Sequence, residues 1–391
     1  MGEQVDLPFG LATSVGALPF ENNLSIQTGT DNEPQPGLES AQGSGPNVGP
    51  EATNDTASSL AHAQCTSAVR LALRSQPIFP TAPTSAAADW SLLSQAVAGL
   101  KGIQAVSPGV LAEVPDAHAI TGCEFVTDLH APEFEPLRVF LDHLGPHSEH
   151  LGDRFVGARI GVLGPVTLAL ALRAAGLDSQ VALAAAAKIV AARSQAILGA
   201  YRAAMPTSVV ALVLSEPSLV GAMHPTFPLS PNQVQSLLSH VVTAIDEVHR
   251  DPLDQGLLIG AHVPGRTDWA TIVGSGISLI SAPAESGLTG WSSTLSAFLE
   301  NGGRIAWGAV PVNQPLGSRE ELLWRRLSAV WCQLSGEGVD PLLLRSRSLI
   351  SPEDGLGHFG ESQATLALGL VDSISIRARR QAIGARLSLG A

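Results

Sequence analysis

The feature that most constrains this chain's fold is an alternation that repeats along its last two thirds. Short apolar runs, "RFVGARIGVLG" (154–164), "SVVALVLSEP" (208–217), "GLLIGAHV" (256–263), "GISLISAPA" (276–284), "RIAWGAVPV" (304–312) and "LLLRSRSLISP" (342–352), are separated by longer stretches with helical periodicity, among them 178–204, 230–249 and 318–335. The runs are apolar on consecutive positions and end in Gly, Pro or a polar residue. A strand with that pattern is buried on both faces, which predicts a parallel sheet covered by helices. Ser230 followed by Pro231 fits an N-cap and first helical position. Ser318 followed by Glu321 fits a capping box.

With "LATSVGAL" (11–18) and "QPIFPTAP" (76–83) the count of candidate strands is eight. Such a set closes either as a barrel or as an open, doubly wound sheet. The open sheet calls for a Gly-rich phosphate turn after its first strand, and "SVGALPF" (14–20) is not one. Polar residues instead gather at the C-terminal ends of several strands, where a barrel builds its site. The expectation is a (β/α)8 barrel in one domain over residues 1–391. Residues 28–59, rich in Gly, Pro, Ser, Asn and Thr with almost no large apolar side chain, read as a flexible insertion after the first strand.

The formal charge is −13 with a pI near 5.2. An acidic chain without a basic footprint argues against nucleic acid, and "RARRQAIGAR" (377–386) reads as a solvated helix face. The apolar segment "VALAAAAKIVAAR" (181–193) is interrupted by Lys188, which argues against a membrane span. Cys65, Cys123 and Cys332 are scattered and odd in number, which fits a reducing cytoplasm better than a disulfide framework. The opening residues have neither a basic nor an apolar signal-peptide region. In "FLDHLGPHSEH" (140–150), Gly145 and Pro146 break the helix that would otherwise align His143, His147 and His150.

The strand ends carry "SVGALPF" (14–20), "LGPVTLA" (163–169), "LSEPSL" (214–219), "GAHVPGRTDW" (260–269), "AWGAVPVNQP" (306–315) and "SPEDGLG" (351–357). In this order the set resembles the catalytic domain of cobalamin-independent methionine synthase, and more closely its short single-domain relatives. The superfamily also contains uroporphyrinogen decarboxylase. The resemblance spans nearly the whole chain except residues 28–59. It implies methyl transfer from a methylated folate or corrinoid to the thiol of homocysteine, activated by zinc on thiolates and an imidazole.

The chain departs from that metal pattern. His262 matches the family histidine, but Pro264 stands for the first cysteine, Ala282 for the glutamate and Asp354 for the second cysteine. Asn313 is the counterpart of a second histidine. His262 and Asp354 remain as weak metal candidates, so no tight zinc is expected, and His262, Asn313 and Asp354 are the candidate catalytic groups. The resemblance places an amino-acid carboxylate on the backbone of Val15, Gly16 and Ala17, and an ammonium on Ser215 and Glu216. Glu216 could equally be paired with Arg159 or Arg304, and Asp268 could cap the helix that begins at Trp269. Two other readings remain open: a metal-independent decarboxylase-like enzyme using Arg159, Arg266 and Arg304, and a non-catalytic barrel with a small-ligand pocket.

Overall fold

The computed structural model describes residues 7–20, 50–85, 88–107, 109–112, 127–145, 154–248, 256–314, 316–317 and 319–389, with 50–58, 88 and 384–389 as backbone only. In chain order the strands are β1 (Leu11–Ala12), β2 (Ala105–Ser107), β3 (Val110–Leu111), β4 (Gly157–Leu163), β5 (Val209–Ser215), β6 (Leu257–His262), β7 (Leu279–Pro283), β8 (Arg304–Val310) and β9 (Ser348–Pro352). Strands β2 and β3 pair as a small antiparallel ribbon. The other seven form one parallel sheet in the order β1-β9-β8-β7-β6-β5-β4, curled as in a TIM-barrel-like fold.

The curl separates two cores. Leu11, Phe79, Ala211, Val213, Leu258, Leu279, Ala306 and Leu349 pack into one apolar cluster. They come from strands far apart in the sheet order, so they meet only on its concave face. Their neighbours in sequence, such as Leu212, Leu214, Ile259, Ile280, Ile305 and Ile350, face the helices and join an outer core running from Ala12 to Ala378. The side-chain period of two fixes which residues point inward: odd positions on β5, β7 and β9, and even positions on β6 and β8.

Where an eighth strand was expected, residues 78–84 run extended without becoming one. They bridge β4 and the segment after β1: Val156 N donates to Ile78 O (3.0 Å), Arg159 N to Pro80 O (2.9 Å), Ala82 N to Arg159 O (2.8 Å), Thr84 N to Gly16 O (2.8 Å) and Leu18 N to Thr84 O (3.1 Å). Pro80 and Pro83 remove two donors from this segment, and Pro77 removes a third just before it, which denies it a regular ladder. Two further expectations are corrected. Residues 342–346 belong to a helix, Pro341–Ser346, capped by Asp340, and only 348–352 is strand. Residues 50–59 are the first part of helix Pro50–Ser75 rather than loop, while 28–49 lie outside the described residues.

Helix signals were largely legible. Ser230 Oγ accepts from Gln233 N (3.3 Å) while Gln233 Oε1 accepts from Ser230 N (2.9 Å), a reciprocal cap on helix Pro231–Val248. Asp268 caps Trp269–Val273 through Thr271 N (3.1 Å). Ser318 lies outside the described residues, and the cap position of helix Glu320–Gly336 is Arg319, with no side-chain bond. The basic C-terminal cluster is not merely solvated. Arg377 pairs with Glu321 and lies over the Trp324 ring (5.0 Å), and Arg379 Nε donates to Phe9 O (3.2 Å). Helix Ser179–Ala204 is long and apolar enough to cross a membrane, but its apolar window is mostly buried in the molecule, against helices Pro165–Ala174 and Pro231–Val248.

Candidate functional site

The alternation on β6 that turns Leu258 inward also turns in His262, the last residue of that strand. It is 2% exposed and in register with Ser215 on β5 and Ser281 on β7. His262 Nδ1 lies 3.0 Å from Ser281 Oγ. That same oxygen accepts from Arg159 Nη2 at 3.0 Å. Arg159 sits on β4, three places from β7 in the sheet, so its guanidinium crosses the concave face of the sheet. On the other side, His262 Nε2 is 3.4 Å from Asp354 Oδ1, just beyond β9. Gly355 N, donating to Oδ1 at 2.7 Å, holds that carboxylate. The result is a polar chain from a buried guanidinium to a carboxylate whose side chain is 49% exposed.

The protons on this chain follow from its donors. Ser281 accepts from Arg159, so its single hydroxyl proton is free to go to His262 Nδ1. The imidazole proton then resides on Nε2, facing Asp354. Burial pushes the His262 pKa below its ordinary value, although Asp354 pulls the other way, so the ring is neutral. Burial lowers Arg159 to about 10, still cationic at neutral pH. For Asp354, burial raises the pKa, but His262, the Gly355 amide and Arg159 outweigh it and hold it below the usual carboxylate range. Beside it, Glu353 is raised by burial and by repulsion from Glu285.

Several groups in this layer lack hydrogen-bond partners among the described residues: Arg159 Nη1, His262 Nε2, Ser351 Oγ and Ser14 Oγ. Thr13 and Thr81 share a hydroxyl contact of 3.2 Å on the same inner wall, where Thr81 bridges to Arg159.

Glu216 occupies different ground. Being one residue beyond Ser215, it points outward to the helix layer. Its carboxylate accepts from Val166 N (2.9 Å), Thr167 N (2.7 Å) and Thr167 Oγ1 (2.6 Å), at the N-terminus of helix Pro165–Ala174. Gly164 precedes that helix because a Cβ there would fall 2.2 Å from the Glu216 carboxyl carbon. The "LGPVTLA" and "LSEPSL" motifs are therefore two halves of one clamp. The expected pairing with Arg159 is corrected, since that arginine bonds Ser281 instead. Burial pushes Glu216 up to about 7 against the pull of its three donors.

The remaining predicted residues are distributed as follows. Gly16 has φ +102° and accepts from Thr84 N, which shapes the turn between half-buried Val15 and Ala17. Ala17 O in turn accepts from Leu356 N (2.5 Å), bringing this turn beside the Asp354 loop. Ser215 lines a cavity of about 420 Å³ with Thr167, Pro217, Ser218 and Leu163. Asn313 is exposed in the bend after β8. Arg266 is exposed, Arg304 begins β8, and Arg159 joins the His262 chain through Ser281. His143 Nδ1 contacts Val139 O (2.7 Å) where its helix ends at Leu144. His147, His150 and Cys123 lie outside the described residues.

The donor set does not fit the zinc site that the resemblance implies. A tetrahedral zinc needs three or four N, S or O donors. Among the described residues no group of three His, Cys, Asp or Glu side chains is arranged to hold a metal. Ala282, where the glutamate would stand, is a buried methyl. A guanidinium electrostatically coupled to both His262 and Asp354 further opposes a cation there.

Sequence reasoning missed Ser281, Thr13, Thr81 and the inner role of Arg159. The available signal was an arginine inside an otherwise apolar strand. No protein-family model and no curated protein matches the sequence. Among solved structures, the fold is similar to a B12-independent methionine synthase from Shewanella sp. W3-18-1 in complex with selenomethionine, with TM-score 0.55, 12% identity, and coverage of 96% of this chain and 99% of that one. A GH10 xylanase from termite gut (TM-score 0.27, 9% identity, 64% and 55% covered) and two fungal β-1,4-galactanases (0.28, 12%, 60% and 90%) overlap too weakly to support an argument. The relation to the methionine synthase is one of fold.

Proposed function

We propose that this chain is a methionine-synthase-like (β/α)8 barrel in one domain, its eighth place filled by residues 78–84. In this reading it binds a thiol amino acid such as homocysteine at the strand ends and methylates it, from a methylated folate, without zinc. The observation that carries the reading is the His262–Asp354 contact backed by Ser281 and Arg159, standing where the resemblance puts the zinc ligands. In the tautomer set by Ser281 the imidazole presents only its Nε2–H, so the half-exposed Asp354 carboxylate takes the thiol proton while His262 orients it, and the guanidinium stabilises the thiolate. The cavity beside Ser215 gives room for the body of a ligand. Free thiols at Cys65 and Cys332 fit a cytoplasmic setting.

The test is methyl transfer from a methylated folate to L-homocysteine, with and without a strong chelator. Turnover should be indifferent to the chelator and fall about 100-fold or more in His262→Ala. Turnover abolished by chelation and restored by zinc would overturn the zinc-free reading. Absence of both turnover and homocysteine binding would overturn the assignment as a whole.

A further inference from the structure

The C-terminal helix, Glu361–Leu389, runs for 29 residues. Its inner face is apolar, with Leu368, Val371, Ile374 and Ala378 buried against β9, β1 and β8. A helix with only water on its other side is polar there, and this one is not. Ile376 is 41% exposed and Ile383 46%, and they share a stripe with Gly369, Asp372 and Arg380, all exposed. With about 3.6 residues per turn, all five point within roughly 40° of the Ile376 direction. Asp372 and Arg380 lie four residues to either side of Ile376, and Gly369 and Ile383 seven. The two charges are roughly 12 Å apart along the helix, too far to pair with each other, and neither has an ion-pair partner among the described residues. Gly369 is a second, independent sign. Glycine is among the least favoured residues inside a helix, yet a Cβ there would meet no atom within 4 Å, so packing within the chain does not call for it.

We propose that this stripe is a two-fold interface with a second copy of the chain, the two C-terminal helices packing antiparallel with Ile376 on the axis. A two-fold axis there sets each position opposite the one equally far along on the other side. Ile376 meets its own copy, Asp372 faces the partner's Arg380, and Ile383 fills the space left open over the partner's Gly369. A parallel pair in the same register would set Asp372 on Asp372 and Arg380 on Arg380, which like-charge repulsion disfavours. One stripe supplies both halves of every pair, and that self-complementarity selects a second copy over a foreign helix. A single helix face buries less than the roughly 800 Å² per partner of a standard interface, so the dimer is reversible and depends on concentration. The interface is independent of the chemistry at His262.

The experiment is sedimentation velocity on the full chain from about 1 to about 100 µM, the range of a weak, reversible contact. The mass should rise with concentration from 40.4 kDa toward twice that value. Ile376→Asp puts two carboxylates on the axis and should weaken self-association at least about tenfold. Asp372→Arg and Arg380→Asp should each weaken it about tenfold, and the two together should return it to within about threefold of the native chain. Since the two positions cannot meet within one helix, that rescue reports pairing between chains. Gly369→Leu should raise the melting temperature of the dilute monomer, where the space is open, and weaken the dimer, where it is filled. All four positions are exposed, so the variants should fold, as circular dichroism checks. The proposal is overturned if the native chain stays monomeric at the highest concentration, which leaves the stripe to a different partner or to solvent. It is equally overturned if a dimer forms that Ile376→Asp or Gly369→Leu leaves intact, or if the double charge swap fails to restore what the single swaps remove.

Discussion

Glu216 and Arg159 are two instructive buried ionisable groups of this curled sheet, and they are treated in opposite ways. Glu216 sits on the outer face of β5 with both carboxylate oxygens occupied by three donors of one helix end. Arg159 sits on the inner face of β4 with one nitrogen bonded to Ser281 and another unmatched among the described residues. A fully satisfied buried charge holds the scaffold together: the Glu216 clamp ties β5 to the helix that follows β4. An incompletely satisfied one is a reservoir for a ligand. Glu216 stands just past the end of its strand and Arg159 within the body of its own, yet only the inner one keeps a donor unmatched among the described residues.

The strongest way to break this comparison is at Gly164. A methyl group there meets the Glu216 carboxyl at 2.2–2.5 Å, so the clamp has to open. Gly164→Ala should lose on the order of 3 kcal/mol in chemical denaturation. A loss below roughly 1 kcal/mol would mean that the clamp does not hold the scaffold.

The next test uses acid. Glu216 has a folded pKa raised to about 7 from its ordinary 4.5. Its contribution to stability is present below pH 4.5 and lost as pH rises toward 7. His262 has a folded pKa depressed by burial. Its contribution is present above its ordinary 6.5 and lost as pH falls. The two slopes oppose each other as pH falls below the ordinary 6.5 of the imidazole, where His262 loses stability and Glu216 regains it. Glu216→Gln should therefore make stability rise more steeply with pH in that window, and His262→Gln should make it rise less steeply. Urea unfolding at four or five pH values measures both, and slopes of the same sign would refute the contrast.

The smallest effects are expected in the inner layer. Arg159→Met removes a buried charge with one nitrogen unmatched among the described residues, and should leave stability unchanged or raise it by up to ~1 kcal/mol. Asp354→Asn, at a half-exposed position, should change it by less than about 0.5 kcal/mol. A large loss in either variant would reclassify the layer as scaffold.

How much of this was readable in advance differs between fold and site. The five runs that became β4 to β8 were legible because each is apolar at consecutive positions and bounded by breakers. The caps at Ser230 and Asp268 were legible because capping is local chemistry. The eighth run misled because its apolar content hid three prolines, and 342–346 misled because a leucine run fits a helix as well as a strand. The site was legible only in part. His262 and Asp354 could be named from position at strand ends, and they meet. Asn313, named on the same grounds, is exposed.

What the sequence alone determined is the succession of most strands and helices and the parallel sheet. What only the tertiary structure decided is which way each charge points. A parallel strand buried on both faces is apolar at every position, so its pattern carries no mark of inside and outside. "VALVLSE" (210–216) therefore gives no warning that Ser215 turns to the concave face and Glu216 to the helices. The curl of the sheet supplied that missing sign, and by bringing β4 across to β7 it joined Arg159 to Ser281 over a separation of 122 residues.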